Sequence, residues 1–469
     1  MPATRVLIAP KLCALVALVT VAVLWSAPAG GPGGGAAHAQ TFPLAHTLLS
    51  PTPAFDDQFG YSVAAVGGNV LAGARYDDTG AQTAGAAYLF DANTGALVRT
   101  FQKPTPAVGD VFGESLAAVG GNVLASARGD DTGAKNAGAA YLFDASSGAL
   151  LRTFLNPTPA SGDEFGVSVA ALGGNVLVGA PLDDSPVAFN AGAAYLFDSA
   201  SGGLLRTFIN PTPAADDRFG ISVAALGGSV LVGAYLDDTG ALDAGAAYLF
   251  NANTGALLRT FLNPTPAYND YFGWSVAAVG GNVLIGAPND DAGAPDAGAA
   301  YLFDANTGAL LQTFLNPTPA LSDGFGVSVA AVGSNVLIGA YFDDTGALNA
   351  GAAYLFDAAS GGLLRTFLDP TPAAGAAFGI SVAAVGGNVL VGAPLDNAAG
   401  AAFLFCSPEG CPLGVGGVAE LPAAAETPLE APRSSGSGAG ALAGIASAAA
   451  GAIALGGGAW WARRRRNLP

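Results

Sequence analysis

One pattern of apolar and polar positions runs seven times along the chain. Phe-Gly recurs at Phe59, Phe112, Phe165, Phe219, Phe272, Phe325 and Phe378, at spacings of 53, 53, 54, 53, 53 and 53 residues. The extra residue falls in the loop Asp183-Asp184-Ser185-Pro186. Within each unit, four short apolar runs alternate with turn residues and no helical period appears, which predicts strands. In the third unit strand A is expected at Val167–Leu172, strand B at Asn175–Ala180, strand C at Ala193–Asp198 and strand D at Leu204–Ile209. Gly173-Gly174 supplies the positive φ that a two-residue A–B hairpin needs. Asn210-Pro211-Thr212-Pro213 ends strand D, because proline donates nothing to a ladder.

Four short antiparallel strands per unit predict an all-β fold, a seven-bladed β-propeller of four-stranded antiparallel blades. Strands A and B are rich in Ala and Gly (Ala170, Ala171, Gly179, Ala180), as inner strands crowded near an axis require. Strands C and D carry the bulk (Tyr195, Leu196, Phe197, Leu205, Phe208). An open β-solenoid is the rival, but 53 residues is long for one coil. The chain does not begin at a unit boundary. Residues 44–51 align with the strand-D segment 204–211, and the seventh unit stops at strand C, Ala402-Phe403-Leu404-Phe405. The N-terminal strand is therefore expected to complete the last blade, covering both sheet edges and closing the ring.

At this point the chain resembles a known family, the FG-GAP repeats of integrin α-chain heads and of many bacterial surface proteins. Phe165-Gly166 corresponds to "FG", and Gly179-Ala180-Pro181 to "GAP", repeated as Gly286-Ala287-Pro288 and Gly392-Ala393-Pro394. It drifts elsewhere, as in Gly233-Ala234-Tyr235 and Gly73-Ala74-Arg75. The resemblance spans residues 41–405 and implies a seven-bladed propeller used for adhesion or ligand binding. Many members hold Ca²⁺ in the A–B turn through a carboxylate-rich loop. Here that turn reads Gly67-Gly68-Asn69 and has no carboxylate, so the calcium site is not carried over.

The two ends read as addresses. Residues 1–39 form a signal peptide: Arg5 and Lys11, an uncharged apolar run from Leu12 to Trp25, then Ala37-His38-Ala39 as cleavage pattern. Residues 406–437 read as a Cys loop and flexible linker. Cys406 and Cys411 form a candidate disulfide in an exported protein, with two free thiols as the alternative. Residues 438–462 are expected as a transmembrane or sorting helix ending at Trp460 and Trp461, and residues 463–469 as a basic cytoplasmic tail opening with Arg463 to Arg466. This arrangement resembles the tripartite sorting signals of bacterial surface proteins, although Leu421-Pro422-Ala423-Ala424-Ala425 departs from LPxTG at two positions.

Charge and chemistry narrow the function. Residues 41–405 hold 31 acidic and ten basic side chains, which disfavours a phosphate-binding surface and nucleic acid. With two His and three Cys in the whole chain, no metal site and no cofactor is expected. Strands alternate in direction, so the long B–C and D–A loops share one face. That face carries Asp77-Asp78 and its counterparts, among them Asp237-Asp238 and Asp290-Asp291, and an Asp two residues before most Phe-Gly pairs. An Asp recurring at one place in every blade caps a turn. The alternative is a cation-attracting rim, for Ca²⁺ or a basic partner.

The copies differ in two loop patches, one before Phe-Gly and one after "GA". Tyr235, Tyr268, Tyr271 and Tyr341 are the candidate ligand-binding aromatics there, with Asp237, Asp238, Asp290 and Asp291. Shielding of blade junctions is the other reading of the aromatics, and Trp274 leans towards packing. Arg99, Arg152, Arg206, Arg259 and Arg365 on strand D read as charges that guard an exposed edge, with His46 an edge residue beside them. No blade shows the odd cluster of acid, base and arginine that an enzyme would need, so no catalytic residue is assigned. The expectation is an exported, membrane- or envelope-anchored binding or adhesion protein. It would present the long-loop face to an unknown protein or glycan, with a propeller-fold polysaccharide-active enzyme or a purely structural envelope protein as alternatives.

Overall fold

The computed structural model describes residues 42–184 and 188–407. They form seven separate four-stranded antiparallel sheets, each in the order A-B-C-D. In the third blade the strands are Ser168–Leu172, Asn175–Ala180, Ala193–Asp198 and Leu204–Ile209. Strand A of each blade packs against strand A of the next around the whole ring, so these strands line the axis and strands D form the outer wall. The last sheet is completed by Leu44–Leu49, paired antiparallel with Ala401–Phe405. The expected closure by the N-terminal strand is thus present. The residues expected as signal peptide, transmembrane helix and basic tail lie outside the described residues, as does the expected linker beyond Ser407. Among the described residues no helix is long and apolar enough to cross a membrane.

Strand A differs from expectation. It begins at Ser168, Ser222, Ser275 and Ser381 in four blades, and at Phe59, Phe112 and Phe325 in the others. The cause is the Phe-Gly pair, which serves the neighbouring blade. All seven Phe amides donate to a carbonyl of the preceding blade, from Phe112 to Ala84 (2.8 Å) through Phe59 to Ala399 (2.9 Å). The following Gly has positive φ, +86° at Gly60. At six of the seven its carbonyl accepts from a Ser Oγ of the preceding blade, as in Ser222 to Gly273 and Ser381 to Gly60, both 2.8 Å, whereas beside Gly166 the Ser115 Oγ accepts from the Val169 amide. The Ser381 bond joins the last blade to the first.

Backbone here touches backbone. A Cβ on Gly233 would lie 2.0 Å from the carbonyl oxygen of Gly273, which is why the "GA" position tolerates so little. The cores sit between blades rather than within them. Strand-D Phe208 packs at 5.3 Å from Phe250 of the next blade, and Phe154 at 5.4 Å from Phe197. Strand B is almost wholly buried in every blade, so its Ala, Val and Gly follow from space rather than from strand propensity.

The outer strands correct the edge-guard reading. Arg99, Arg152, Arg206 and Arg259 donate to backbone carbonyls in the C–D turn of the next blade, at Ser146, Ala200, Asn253 and Asn306. His46 Nε2 lies 3.1 Å from the Asn93 carbonyl oxygen in the same way. A guanidinium on a long stem reaches sideways to orphan carbonyls more favourably than it waits in solvent. These side chains join blades. Cys406 is disulfide-bonded; its expected partner, Cys411, lies outside the described residues.

Candidate functional site

The acidic rim resolves into two kinds of carboxylate. The first Asp of each pair is buried: Asp237 is 2% exposed and Asp290 4%. Asp237 accepts from the Tyr248 hydroxyl (2.6 Å) and from Asn210 Nδ2 (3.0 Å). Asp290 is held alike by Tyr301 and Asn263. The second Asp of each pair is exposed and accepts a backbone N–H across its own loop, as Asp238 does from Asp243 (2.9 Å) and Asp291 from Asp296 (2.9 Å). The Asp before Phe-Gly also caps a turn: Asp217 Oδ2 takes the Ala214 amide at 2.6 Å.

Asn210 Nδ2 donates to Asp217 (2.7 Å) and Asp237 (3.0 Å) together, so two carboxyls share one neutral donor at the blade junction. Asn156, Asn263 and Asn316 repeat the arrangement. Burial, reinforced by the neighbouring carboxylates, pushes Asp217 up to about 7 and Asp163 and Asp270 to about 6. At the junction of blades one and two, Lys103 replaces the Asn, its Nζ 2.8 Å from both Asp110 and Asp130. Among the described residues no group of His, Cys, Asp and Glu has the arrangement of a metal site.

The variable residues converge elsewhere, on the axial mouth at the long-loop face. Three positions per blade reach it: the residue before Phe, the residue after Phe-Gly, and the residue after "GA". In blades one to three Gln58, Tyr61, Arg75, Glu114, Arg128 and Glu164 carry polar groups, while Val111, Val167 and Pro181 do not. Arg75 lies over the Tyr61 ring at 3.4 Å and against Tyr76 at 4.6 Å. Its Nε donates to Gln58 (2.7 Å). Glu114, 8% exposed, lies 3.4 Å from both Arg75 and Arg128, and Arg128 reaches Glu164 at 3.0 Å. This is the odd cluster of acid and arginine that the sequence reading did not find. It went unseen because its members come from three blades.

Glu114 holds the position after Phe-Gly in blade two, as Tyr61 does in blade one, and Leu116 pairs with Ala125 in the register of Val63 with Ala72.

Blades four to six supply aromatic groups. Tyr235 meets Tyr271 edge-on at 5.2 Å and Trp274 at 4.8 Å, while Tyr271 and Trp274 are stacked at 6.2 Å. Tyr341 lies over Gly324 and beside Phe342. Burial pushes the Tyr341 phenol up to about 12, and the Tyr61 phenol adds to that rise. Tyr271 is likewise raised to about 12, chiefly by burial. Of the expected site residues, Tyr235, Tyr271 and Tyr341 thus stand in the mouth. Tyr268 projects from a loop tip at 66% exposure. Gln58 and Glu164 belong to the variable patch before Phe-Gly; Tyr61 and Glu114 were not expected there, and their signal was the residue after Phe-Gly, which varies between strands that are otherwise near-identical.

No curated protein matches the chain. The FG-GAP repeat matches seven times, over residues 46–90, 106–143, 157–197, 209–250, 265–303, 318–356 and 367–405. These segments take in more than half of the chain, at the phase of the seven blades, and the chain belongs to the FG-GAP repeat family.

Proposed function

We propose that this chain is an exported, envelope-anchored binding protein that engages its partner with the long-loop face of the propeller. One observation carries the reading. Among seven near-identical repeats, the side chains that differ converge on one mouth, while those that stay the same hold the ring together. A frame that repeats and a surface that varies is the economy of a recognition module. Catalysis by proton transfer is less well supported, because it needs a group tuned near the working pH beside the substrate. The carboxyls raised to about 6 or 7, Asp57, Asp163, Asp217, Asp270 and Asp396, are all buried, and the first four accept a backbone N–H.

Export and anchoring rest on the sequence of the two ends. Trypsin treatment of intact cells should release propeller fragments; a protein recovered only from cytoplasm would sink this part. For the face, the purified full chain should capture a component of envelope extracts. Capture should fail when mouth and loop-tip residues of that face are replaced together, and should survive replacement of Asn69 and Asn122 on the opposite face.

A further inference from the structure

We infer that the axial mouth is a saccharide site, and that it takes a neutral, hydroxyl-rich sugar. The inference rests on the binding reading above and names the ligand class of the same face. The mouth has two unlike walls. The wall from blades four to six offers Trp274, Tyr235 and Tyr271 in mutual contact at 4.8–6.2 Å. Such rings present flat apolar area at low entropic cost, matched to the C–H face of a pyranose. The wall from blades one to three offers Arg75, Glu114 and Arg128 with Glu164. These are forked donors and paired acceptors already held in place by one another and by the stacked Tyr61. Vicinal hydroxyls, each donor and acceptor at once, suit that alternation.

Charge selects the class. Two guanidiniums and two carboxylates sum to zero, and Arg218, before Phe219, is paired with Asp216 at 3.1 Å, so the polar groups offer hydrogen bonds without a net field. Outside it stand exposed aspartates, one per blade in blades one to six, from Asp78 to Asp344, on a chain of net charge −18. That surface repels uronic-acid, sulfated and phosphorylated chains. Tyr271 and Tyr341 keep their protons at any physiological pH and can donate to sugar oxygens. The exposed apolar loop tips, Phe55, Val108, Phe189 and Leu321 among them, differ in identity from blade to blade.

The test uses the purified full chain and calorimetric titration with neutral hexose and N-acetylhexosamine oligosaccharides, with oligogalacturonate as the acidic comparison. At least one neutral oligosaccharide should bind saturably. Trp274→Leu and Arg75→Gln should each weaken it by about tenfold or more, while Asn122→Ser on the opposite face, where blade four itself carries Ser229, leaves it unchanged. Trp274→Leu removes packing as well as a platform, so Arg75→Gln, at a partly exposed site, decides if the first variant fails to fold. Binding of oligogalacturonate alone would overturn the neutral class. No sugar binding, or binding that both variants leave intact, would overturn the saccharide site. If sugars fail but the variants abolish capture of a protein from envelope extract, the binding reading stands and this inference falls. If neither sugars nor extracts bind, both fall.

Discussion

Replacing Lys103 by methionine removes the cation that ties blade one to blade two. Its Nζ lies 2.8 Å from Asp110 and 2.8 Å from Asp130, and the three side chains are 7%, 2% and 0% exposed. Removing one partner of a buried ion pair costs about 3–5 kcal/mol, because the other charge stays buried and unpaired. Here two carboxylates are left, but each keeps other donors: Ala107 N–H for Asp110, and Thr132 N–H with the Tyr141 hydroxyl for Asp130. The expected loss is therefore about 3 kcal/mol at pH 7.5.

Asparagine at this place is the chain's own solution at four other junctions, so Lys103→Asn should cost about 1 kcal/mol. Acid should rescue the methionine variant. With the lysine gone, protonating one carboxyl relieves the repulsion, so the deficit should shrink as pH falls from 7.5 towards 5. Hydrogen exchange resolved by blade is the assay of choice, because a ring of repeats can open locally before it unfolds as a whole. Loss of protection should centre on the D–A loop at 103–111 and the loop at 128–136. A methionine variant within about 0.5 kcal/mol of wild type, or a deficit indifferent to pH, would refute the reasoning.

The wild-type junctions give a second pH effect. Asp57, Asp163, Asp270 and Asp396 are raised to about 6 and Asp217 to about 7, above the unfolded value near 3.9. A carboxyl raised in the fold costs stability above its folded pKa and recovers it as pH falls towards the unfolded one. The melting temperature should accordingly rise between pH 8 and pH 5, and Asp217→Asn should flatten that slope; a melting temperature that falls over this range would contradict the assignment. Gly233→Ala drives a Cβ to 2.0 Å from the Gly273 carbonyl, backbone against backbone, and should cost about 4 kcal/mol or prevent folding; soluble, wild-type-like protein would argue against so tight a seam. Deleting residues 42–50 removes the strand that pairs with Ala401–Phe405 and should give an open, aggregating ring by light scattering, whereas Ser381→Ala, losing one hydrogen bond at the same seam, should cost only about 1 kcal/mol by urea titration.

Much of the fold was legible because the repeat does the alignment. The period of 53, the glycine hairpin after Leu172 and the missing strand D after Phe405 together dictate seven blades and their closure. What stayed hidden were interactions whose partners lie a blade apart. Asn210, Asp217 and Asp237 look like three separate turn residues, yet one amide binds both carboxylates. Arg206 looks like an edge charge because its acceptor, the Asn253 carbonyl, is backbone and leaves no trace in side-chain identity. The site was half legible. Tyr235, Tyr271 and Tyr341 stood out as differences in loops, whereas Tyr61 and Glu114 lie within strand A, where packing was the ready explanation.

The seams described above bear on how such a protein changes over generations. Because backbone groups of the Phe-Gly pair and of the preceding blade make each joint, an exchange between two repeats of the gene moves a block of three mouth residues and rebuilds the same joint around it. Recombination would therefore reshuffle the side chains of the mouth in steps of one blade, with little risk to folding. The gain or loss of a single whole unit is another matter. Every joint would survive it, but the N-terminal strand would no longer meet the last sheet at the angle that a seven-part circle imposes. In this chain, then, the mouth side chains are free to drift while the number of blades is held.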